Sequence, residues 1–245
     1  MCFRKKAILM IHGFAGGNYD FGNFHNELQI YKKFDVYTFT LPAHDKFIVK
    51  DVDYKEWIDE SKKQIEFLIN NGYKEIYLIG HSMGGVIAAH LASQYPQVKK
   101  LILAAPAFRY FYFKDGKVDI KSLNKTIKNI AELFKEENTE QAISRILKTP
   151  ISTMIEFTQL VSHCQNCIYH ITCPTLTIHG MDDIVVPSEG TEYVFNGINS
   201  KTNLLINVKK LNHDCFTSKR SKEIKDIIKN FLLKKPKKNK EIIEI

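Results

Sequence analysis

Residues 75–95, EIYLIGHSMGGVIAAHLASQY, decide the fold. An apolar run at 76–79 predicts a buried strand, and the alanine- and leucine-rich segment that follows predicts a helix. Between them lies the pattern G-x-S-x-G, from Gly80 through Ser82 to Gly84. At such a tight turn the central residue adopts a strained backbone conformation, which only glycine neighbours approach closely enough to permit. The stretch therefore predicts a serine lifted above the end of a sheet.

The position of Ser82 at the start of a helix has a chemical consequence. Unpaired backbone N–H groups and the positive end of the helix dipole favour the negative charge that develops during acyl transfer. Small residues also let a helix pack on a strand, so the five-residue pattern alone is a weak signal. The strand before it and the helix after it favour a nucleophilic serine.

The chain around this turn alternates between strands and helices. The run at 7–11 is apolar throughout, as expected of a parallel strand covered on both faces, and it ends in a glycine-rich loop at 12–17. We predict an α/β fold with about six mainly parallel strands flanked by helices. The predicted strands are 7–11, 34–41, 76–79, 98–105, 174–179 and 203–208, and the predicted helices are 23–31, 54–70, 84–95, 188–195 and 217–233.

Residues 107–172 interrupt this alternation. An insertion of this length at the ligand-bearing edge of a sheet predicts a helical cap over Ser82, with crossover helices packed on the sheet as the alternative. The domain prediction is therefore a core of 1–106 and 173–233, a cap of 107–172 and a basic tail of 234–245. Apolar cap residues are candidates for binding an acyl chain or an aromatic acyl group, or for joining the cap to the core. They are Phe108, Tyr110, Phe111, Met154, Phe157 and Leu160.

Composition limits the classes of function. The 245 residues suit one sizeable domain, and the formal net charge of +8 includes +3 from the tail, without a basic stripe interleaved with aromatic residues. We therefore expect no nucleic-acid partner. There is no apolar run of about 18 residues and no signal peptide, and five cysteines suit a reducing compartment, so we expect a cytoplasmic protein.

Two later loops supply partners for a serine nucleophile. Asp182 and Asp183 follow the predicted strand at 174–179, and His213 follows the strand at 203–208. A serine hydroxyl needs a base within hydrogen-bond reach, and the base needs a third group that orients it. The carboxyl ends of parallel strands meet at one edge of a sheet, so these side chains can converge on Ser82. One of the two aspartates is expected to be only a turn residue.

The sequence resembles the α/β-hydrolase superfamily, and within it the small bacterial carboxylesterases and monoacylglycerol lipases. The resemblance rests on HGFAGG, GHSMGGV, LILAAPAF, CPTLTIHGMDDIVVP and NHD, which frame nearly the whole chain apart from the cap. It implies Ser82 as nucleophile, His213 as general base and Asp183, three residues after Gly180, as the acid. The sequence departs from the family at Asn212, where relatives commonly have glycine.

The resemblance also implies backbone N–H groups of Phe14 and Met83 as the oxyanion hole. It implies a serine hydrolase that cleaves small carboxylic esters through an acyl-enzyme, without a cofactor. His12 and His81, next to the key glycines, are interpreted as structural hydrogen-bonding residues. The oligomeric state and the acyl and alcohol specificity stay open.

Three alternatives remain beside this interpretation. A monoacylglycerol or lysophospholipid lipase would use a wide apolar cap, with the basic tail at an anionic membrane surface, although so short a tail is more often a solvated end. A binding protein could keep the fold without catalysis. A metal could be held by residues with C-x-x-C spacing, but helix-end residues without a metal are favoured. Those residues are His163, Cys164, Cys167, His170 and Cys173.

Overall fold

The computed structural model describes residues 6–44, 50–109, 113–114, 117–118 and 149–245. Nine strands lie within these ranges. They are β1 (Lys6–Ile11), β2 (Phe34–Thr38), β3 (Ile76–His81), β4 (Val98–Ala104), β5 (Phe113–Lys114), β6 (Lys117–Val118), β7 (Thr175–Gly180), β8 (Thr202–Val208) and β9 (Asn239–Glu244).

Six α-helices and two 3-10 helices lie in the same part of the chain. The α-helices are α1 (Phe24–Gln29), α2 (Tyr54–Asn70), α3 (Met83–Gln94), α4 (Ile151–Cys164), α5 (Ser188–Gly197) and α6 (Ser221–Leu233). The 3-10 helices are Asn18–Phe21 and Gln165–His170. No helix of the described residues is long and apolar enough to cross a membrane.

One seven-stranded sheet has the order β2-β1-β3-β4-β7-β8-β9, and all of its neighbouring pairs are parallel. The predicted α/β fold is thus confirmed. The chain runs from β1 outward to β2 and then returns to the other side of β1 with β3. The strand order therefore reverses between β1 and β3, and the crevice at such a reversal is where ligands bind in open parallel sheets.

Both faces of the sheet are covered. Along β1 the residues Ala7, Leu9 and Ile11 belong to one buried cluster, with side chains of α2, α3 and α4. Ile8 and Met10 belong to a second cluster on the other face, with side chains of α1 and α6. Alternate residues of a strand point to opposite faces, so an apolar run without polar interruption needs cover on both sides.

The C-terminal segment corrects the prediction of a solvated basic tail over 234–245. Asn239–Glu244 forms β9, a seventh strand that pairs in parallel with β8 at the edge of the sheet. Its charged residues are exposed, while Ile243 packs against the second buried cluster. The prediction was wrong here because an edge strand needs few apolar residues and tolerates lysine and glutamate on its open side.

A buried lysine fixes the chain just before this strand. The Lys100 ammonium group donates hydrogen bonds to the carbonyl oxygens of Phe231 at 2.7 Å, Leu232 at 3.0 Å and Lys234 at 2.7 Å. These carbonyls end α6 and have no partner within the helix, and a cation at a helix C-terminus is favourable. Burial, then Lys6 and Lys33, lower the pKa of Lys100 to about 8.

The described part of the predicted cap packs directly on the core. Helix α4 lies against α2 and α3, and its residues Phe157, Leu160 and Val161 belong to the first buried cluster. The backbone N–H of Tyr54 also donates to Glu156 at 3.0 Å. Strands β5 and β6 form a small antiparallel ribbon in this insertion. Most of the remaining cap, residues 119–148, lies outside the described residues, so the cap and its boundaries stay a prediction.

The edge strand β9 leads to a stability prediction. Replacement Ile243→Asp places a charge against the second buried cluster, and we expect the free energy of unfolding to fall by about 1–3 kcal/mol. Ile242, 49% exposed, is the matched control. Ile242→Asp should change the free energy of unfolding by no more than about 0.5 kcal/mol. Urea unfolding of both variants measures the difference. Equal values would contradict the packing of Ile243 in an edge strand.

Candidate active site

Ser82 lies at the turn between β3 and α3 in a strained conformation. Its backbone angles are φ 53° and ψ −118°, and its side chain makes no capping hydrogen bond to the helix that it begins. The backbone around it is fixed, since Ser82 N donates to Ala104 O at 2.9 Å, and Ser82 O accepts from Gly85 N at 2.9 Å and Ala107 N at 3.2 Å. The serine is therefore held in a single backbone conformation at the carboxyl end of β3.

The glycines of this turn are required by close backbone contacts. A Cβ atom on Gly80 would lie 2.7 Å from the Cα of Gly85, and one on Gly84 would lie 2.5 Å from the carbonyl oxygen of His12. Real Cβ atoms do not approach other atoms so closely, so only glycine fits both positions. The pattern G-x-S-x-G thus brings the serine turn against the end of β1.

The glycine-rich loop after β1 lies beside Ser82, because β1 and β3 are neighbouring strands. A Cβ atom on Gly13 would lie 3.2 Å from the Cβ of Ser82. Most N–H groups of this loop donate to neighbours, whereas no acceptor for Phe14 N–H is found within the part of the chain that the structure describes. The bonds are Gly13 N to Asp20 Oδ2 at 3.1 Å, Ala15 N to His44 Nε2 at 3.2 Å, Gly16 N to Gly13 O at 3.2 Å and Gly17 N to Asp20 Oδ1 at 3.2 Å.

Two backbone donors therefore lie near the serine turn. Phe14 N–H belongs to the adjacent loop, and Met83 is the first residue of α3, whose N–H has no intrahelical acceptor. The Phe14 ring stacks on Phe157 with centroids 5.0 Å apart and meets Trp57 edge-on at 6.1 Å. These contacts hold the side chain of Phe14 in place.

Asp183 and His213 form a buried pair on the loops after β7 and β8. Asp183 Oδ2 lies 2.8 Å from His213 Nδ1, and the Asp183 side chain is fully buried. The other oxygen, Oδ1, accepts from the backbone N–H groups of Val185 at 2.8 Å and Val186 at 2.9 Å. Burial acts to raise the pKa of Asp183, but His213 and these two N–H groups outweigh it and hold the pKa below its usual value.

The two candidate aspartates have different surroundings. Asp183 contacts His213, whereas Asp182 is exposed and its backbone N–H donates to Leu211 O at 3.0 Å. Asp182 is thus the turn residue that the sequence analysis expected. A Cβ atom on Gly180 would lie 2.5 Å from Asn212 O, so this glycine lets the two loops touch. Asn212, the departure from the family pattern, accepts the Asp214 N–H through its side chain at 3.0 Å and thereby shapes the histidine loop.

His12 and His81 make the hydrogen bonds expected of structural residues. His12 Nε2 accepts from Leu41 N at 3.0 Å, and its Nδ1 lies 2.9 Å from Gly13 O. His81 Nε2 donates to the carbonyl oxygen of His213 at 3.1 Å. Sequence reasoning missed Asp20 and His44, which hold the loop after β1. Their signal was weak, because neither belongs to a motif that identifies it.

The predicted substrate-binding residues fall into three groups. Phe108, Phe157 and Leu160 are buried in the first core cluster, which favours a role in packing. Met154 is partly buried on α4. Tyr110 and Phe111 lie outside the described residues. Their role in binding stays a prediction.

The residues of the metal alternative do not gather into a site. Cys164 and Cys167 are buried in the first core cluster, and His170 is exposed at the end of the second 3-10 helix. Burial raises the pKa of the Cys164 thiol to about 12. Within the ranges that the structure describes, no three His, Cys, Asp or Glu side chains are arranged to hold a metal ion.

Comparison with known proteins identifies the family. Residues 4–220 match the Hydrolase_4 family, which is described as serine aminopeptidase, S33. The chain belongs to this family. It is 25% identical over 210 residues to putative esterase/lipase 2 of Mycoplasma genitalium, covering 79% of this chain and 77% of the relative. It is 23% identical to a carboxylesterase of Bacillus subtilis, covering 79% of this chain and 78% of the relative.

The fold is also that of solved hydrolases. A solved structure from the pair LipS and LipT, two metagenome-derived lipolytic enzymes, superposes on this chain with a TM-score of 0.73. The two chains are 16% identical, and the superposition covers 94% of each. At this identity the superposition establishes the fold. Together with the family match, it makes the chain an α/β-hydrolase of the esterase and lipase type.

Because folding lowers the pKa of Asp183, we expect this residue to stabilise the protein in a pH-dependent way. A carboxylate whose pKa is lowered by folding stabilises the protein above its unfolded pKa, and this stabilisation is lost as the pH falls. The difference in unfolding free energy between wild type and Asp183→Asn should therefore shrink by about 0.5–1.2 kcal/mol from pH 6 to pH 3.

The exposed neighbour provides the control for this measurement. Asp182→Asn should follow the wild-type pH dependence, because Asp182 is not buried against a cation. Urea unfolding at four or five pH values measures all three proteins. An Asp183→Asn curve parallel to wild type would contradict the lowered pKa.

Proposed function

We propose that this hydrolase cleaves carboxylic esters with short, medium or aromatic acyl groups through an acyl-enzyme on Ser82. One observation carries the proposal: the buried Asp183–His213 pair lies on the loops after β7 and β8, beside the strained serine turn. The His213 ring is 5.1 Å from the ring of His81, the residue that precedes Ser82. The nucleophile Ser82, the orienting acid Asp183 and the base His213 occur in the chain order of α/β-hydrolases.

The hydrogen bond to Asp183 assigns the proton on His213. An ionised carboxylate only accepts, so His213 Nδ1 donates and Nε2 of the neutral ring carries a lone pair. In the proposed mechanism Nε2 removes the Ser82 proton as the hydroxyl attacks the ester carbonyl. Asp183 then stabilises the imidazolium, and its bonds to Val185 N and Val186 N keep it in place.

The negative oxygen of the tetrahedral intermediate is assigned to two backbone donors. Phe14 N–H, which lacks an acceptor among the described residues, and Met83 N–H at the start of α3 supply the hydrogen bonds. Collapse of the intermediate transfers the proton from His213 to the leaving alcohol and leaves the acyl group on Ser82. A water activated by His213 then attacks the acyl-enzyme, the bond to Ser82 Oγ breaks to release the carboxylic acid, and His213 returns the proton to Ser82.

The side chains packed beside the glycine loop are mainly aromatic. Phe14, Trp57 and Phe157 form an aromatic cluster beside the loop, with His44 against both Phe14 and Trp57. The names of the relatives include both carboxylesterase and lipase, and the same chemistry serves both. A series of p-nitrophenyl esters from acetate to palmitate distinguishes them, and we expect the highest kcat/KM at four to eight carbons.

Removal of the nucleophile is the decisive test. Ser82→Ala should reduce kcat on p-nitrophenyl butyrate by about three orders of magnitude or more, because the covalent step is lost. Ser93→Ala is the matched control, since Ser93 lies later on α3 and its hydroxyl donates only to His90 O. That variant should retain wild-type rates. Equal rates for wild type and Ser82→Ala would overturn the proposal and favour a binding protein.

The two adjacent aspartates test the orienting acid. Asp183→Asn preserves shape but removes the charge that fixes the tautomer of His213, and kcat should fall by about 10³- to 10⁴-fold. Asp182→Asn should retain kcat within about twofold, because Asp182 is exposed and does not contact His213. Steady-state kinetics of the pair would contradict the assignment if Asp182→Asn were the inactive variant.

A further inference from the structure

We propose that Asp20 and His81 are positioning residues that hold the glycine loop, the serine turn and the histidine loop in one arrangement. The proposal rests on the esterase function proposed above and extends it to two residues outside the Ser82–His213–Asp183 set. Asp20 lies in the 3-10 helix Asn18–Phe21, and His81 ends β3.

Asp20 fixes both ends of the loop segment that carries Phe14. Its Oδ2 accepts from Gly13 N at 3.1 Å and its Oδ1 accepts from Gly17 N at 3.2 Å. Burial acts to raise the pKa of Asp20, but His81, His12 and the Gly13 N–H outweigh it and lower the pKa, so the carboxylate is ionised. A charged acceptor bonds backbone N–H groups more strongly than a neutral one. The loop is therefore pinned on either side of the Phe14 donor.

His81 joins this carboxylate to the histidine loop. Its Nδ1 lies 3.7 Å from Asp20 Oδ2, and its Nε2 donates to the His213 carbonyl oxygen at 3.1 Å. Burial acts to lower the pKa of His81, but Asp20 and the bond to His213 outweigh it and raise the pKa. At 3.7 Å the Nδ1 atom makes no hydrogen bond to Asp20, so this contact is a buried charge attraction, whereas the bond from Nε2 to His213 O is direct.

The three loops are in direct contact, so a shift of one is transmitted to the others. A Cβ atom on Gly13 would lie 3.2 Å from Ser82 Cβ and 3.3 Å from His81 Nδ1. Movement of the loop would change the separation between Phe14 N–H and the oxygen that it must stabilise. Displacements of about 1 Å at reacting groups can cost about 100-fold in rate.

A purely structural role would have a different signature. Loss of one partner from a buried ion pair destabilises a fold whether or not it touches a reaction. A positioning role lowers kcat in molecules that remain folded and leaves substrate binding nearly unchanged. The kinetics must therefore be measured together with the folded fraction of each variant.

Asp20→Asn tests the proposal on p-nitrophenyl butyrate at a temperature where unfolding curves show the variant fully folded. We expect kcat to fall about 10- to 100-fold while KM changes less than about threefold. Asp35→Asn is the matched control, because Asp35 is a partly buried carboxylate on β2 that accepts the Tyr73 hydroxyl at 2.6 Å. It should keep kcat within about twofold.

Two variants of His81 test whether a hydrogen-bond donor at this position is sufficient to preserve the rate. In His81→Gln the amide can still donate to the His213 carbonyl, whereas His81→Leu fills similar space without a donor. We expect His81→Gln to retain at least about fivefold more kcat than His81→Leu at equal folded fraction. Equal rates for these two variants would overturn the role of the His81–His213 bond.

The outcomes separate this inference from the proposed function. An active wild type, an inactive Ser82→Ala and an Asp20→Asn variant with wild-type kcat would overturn the positioning role alone. The same conclusion would follow if the loss of kcat in Asp20→Asn merely tracked the unfolded fraction. Equal activity of wild type and Ser82→Ala would overturn the esterase function, and this inference with it.

Discussion

The strained turn at Ser82 is the constraint on which the rest of the molecule depends. A non-glycine residue at φ 53° costs about 1–3 kcal/mol, and such a conformation persists only where the surroundings determine it completely. Here the surroundings are the end of β4, which accepts the Ser82 N–H, and the close packing of Gly80 against Gly84 and Gly85. The sheet and α3 together therefore supply the free energy that keeps the serine in place.

The reversal of strand order gives this turn its chemical partners. Because β1 and β3 are neighbours, the glycine loop after β1 lies against the serine turn. The loops after β7 and β8 reach the same edge, since all strands of the sheet are parallel. Parallel strands end at one edge, so residues separated by more than a hundred positions in the sequence become neighbours.

Two aspartate–histidine pairs at this edge are built differently. Asp183 holds His213 at 2.8 Å and accepts two backbone N–H groups, which leaves Nε2 of the ring available for chemistry. Asp20 also accepts two backbone N–H groups, but its histidine, His81, lies 3.7 Å away and uses Nε2 to bond the His213 backbone. In the proposed mechanism the first pair moves a proton, and in the proposed positioning role the second pair fixes the positions of the loops.

The sequence by itself determined the main elements and the candidate serine, histidine and acid. Local signals were sufficient for these, because the apolar runs indicate the strands and only glycine fits the close contacts of the serine turn. Only the tertiary structure decided that residues 239–244 complete the sheet, and it alone shows the contact between Asp183 and His213. It alone revealed Asp20, because a carboxylate that binds loop N–H groups and a histidine sixty-one positions away has no local pattern. Such contacts depend on which loops the sheet brings together, and that information arises only when distant segments pack.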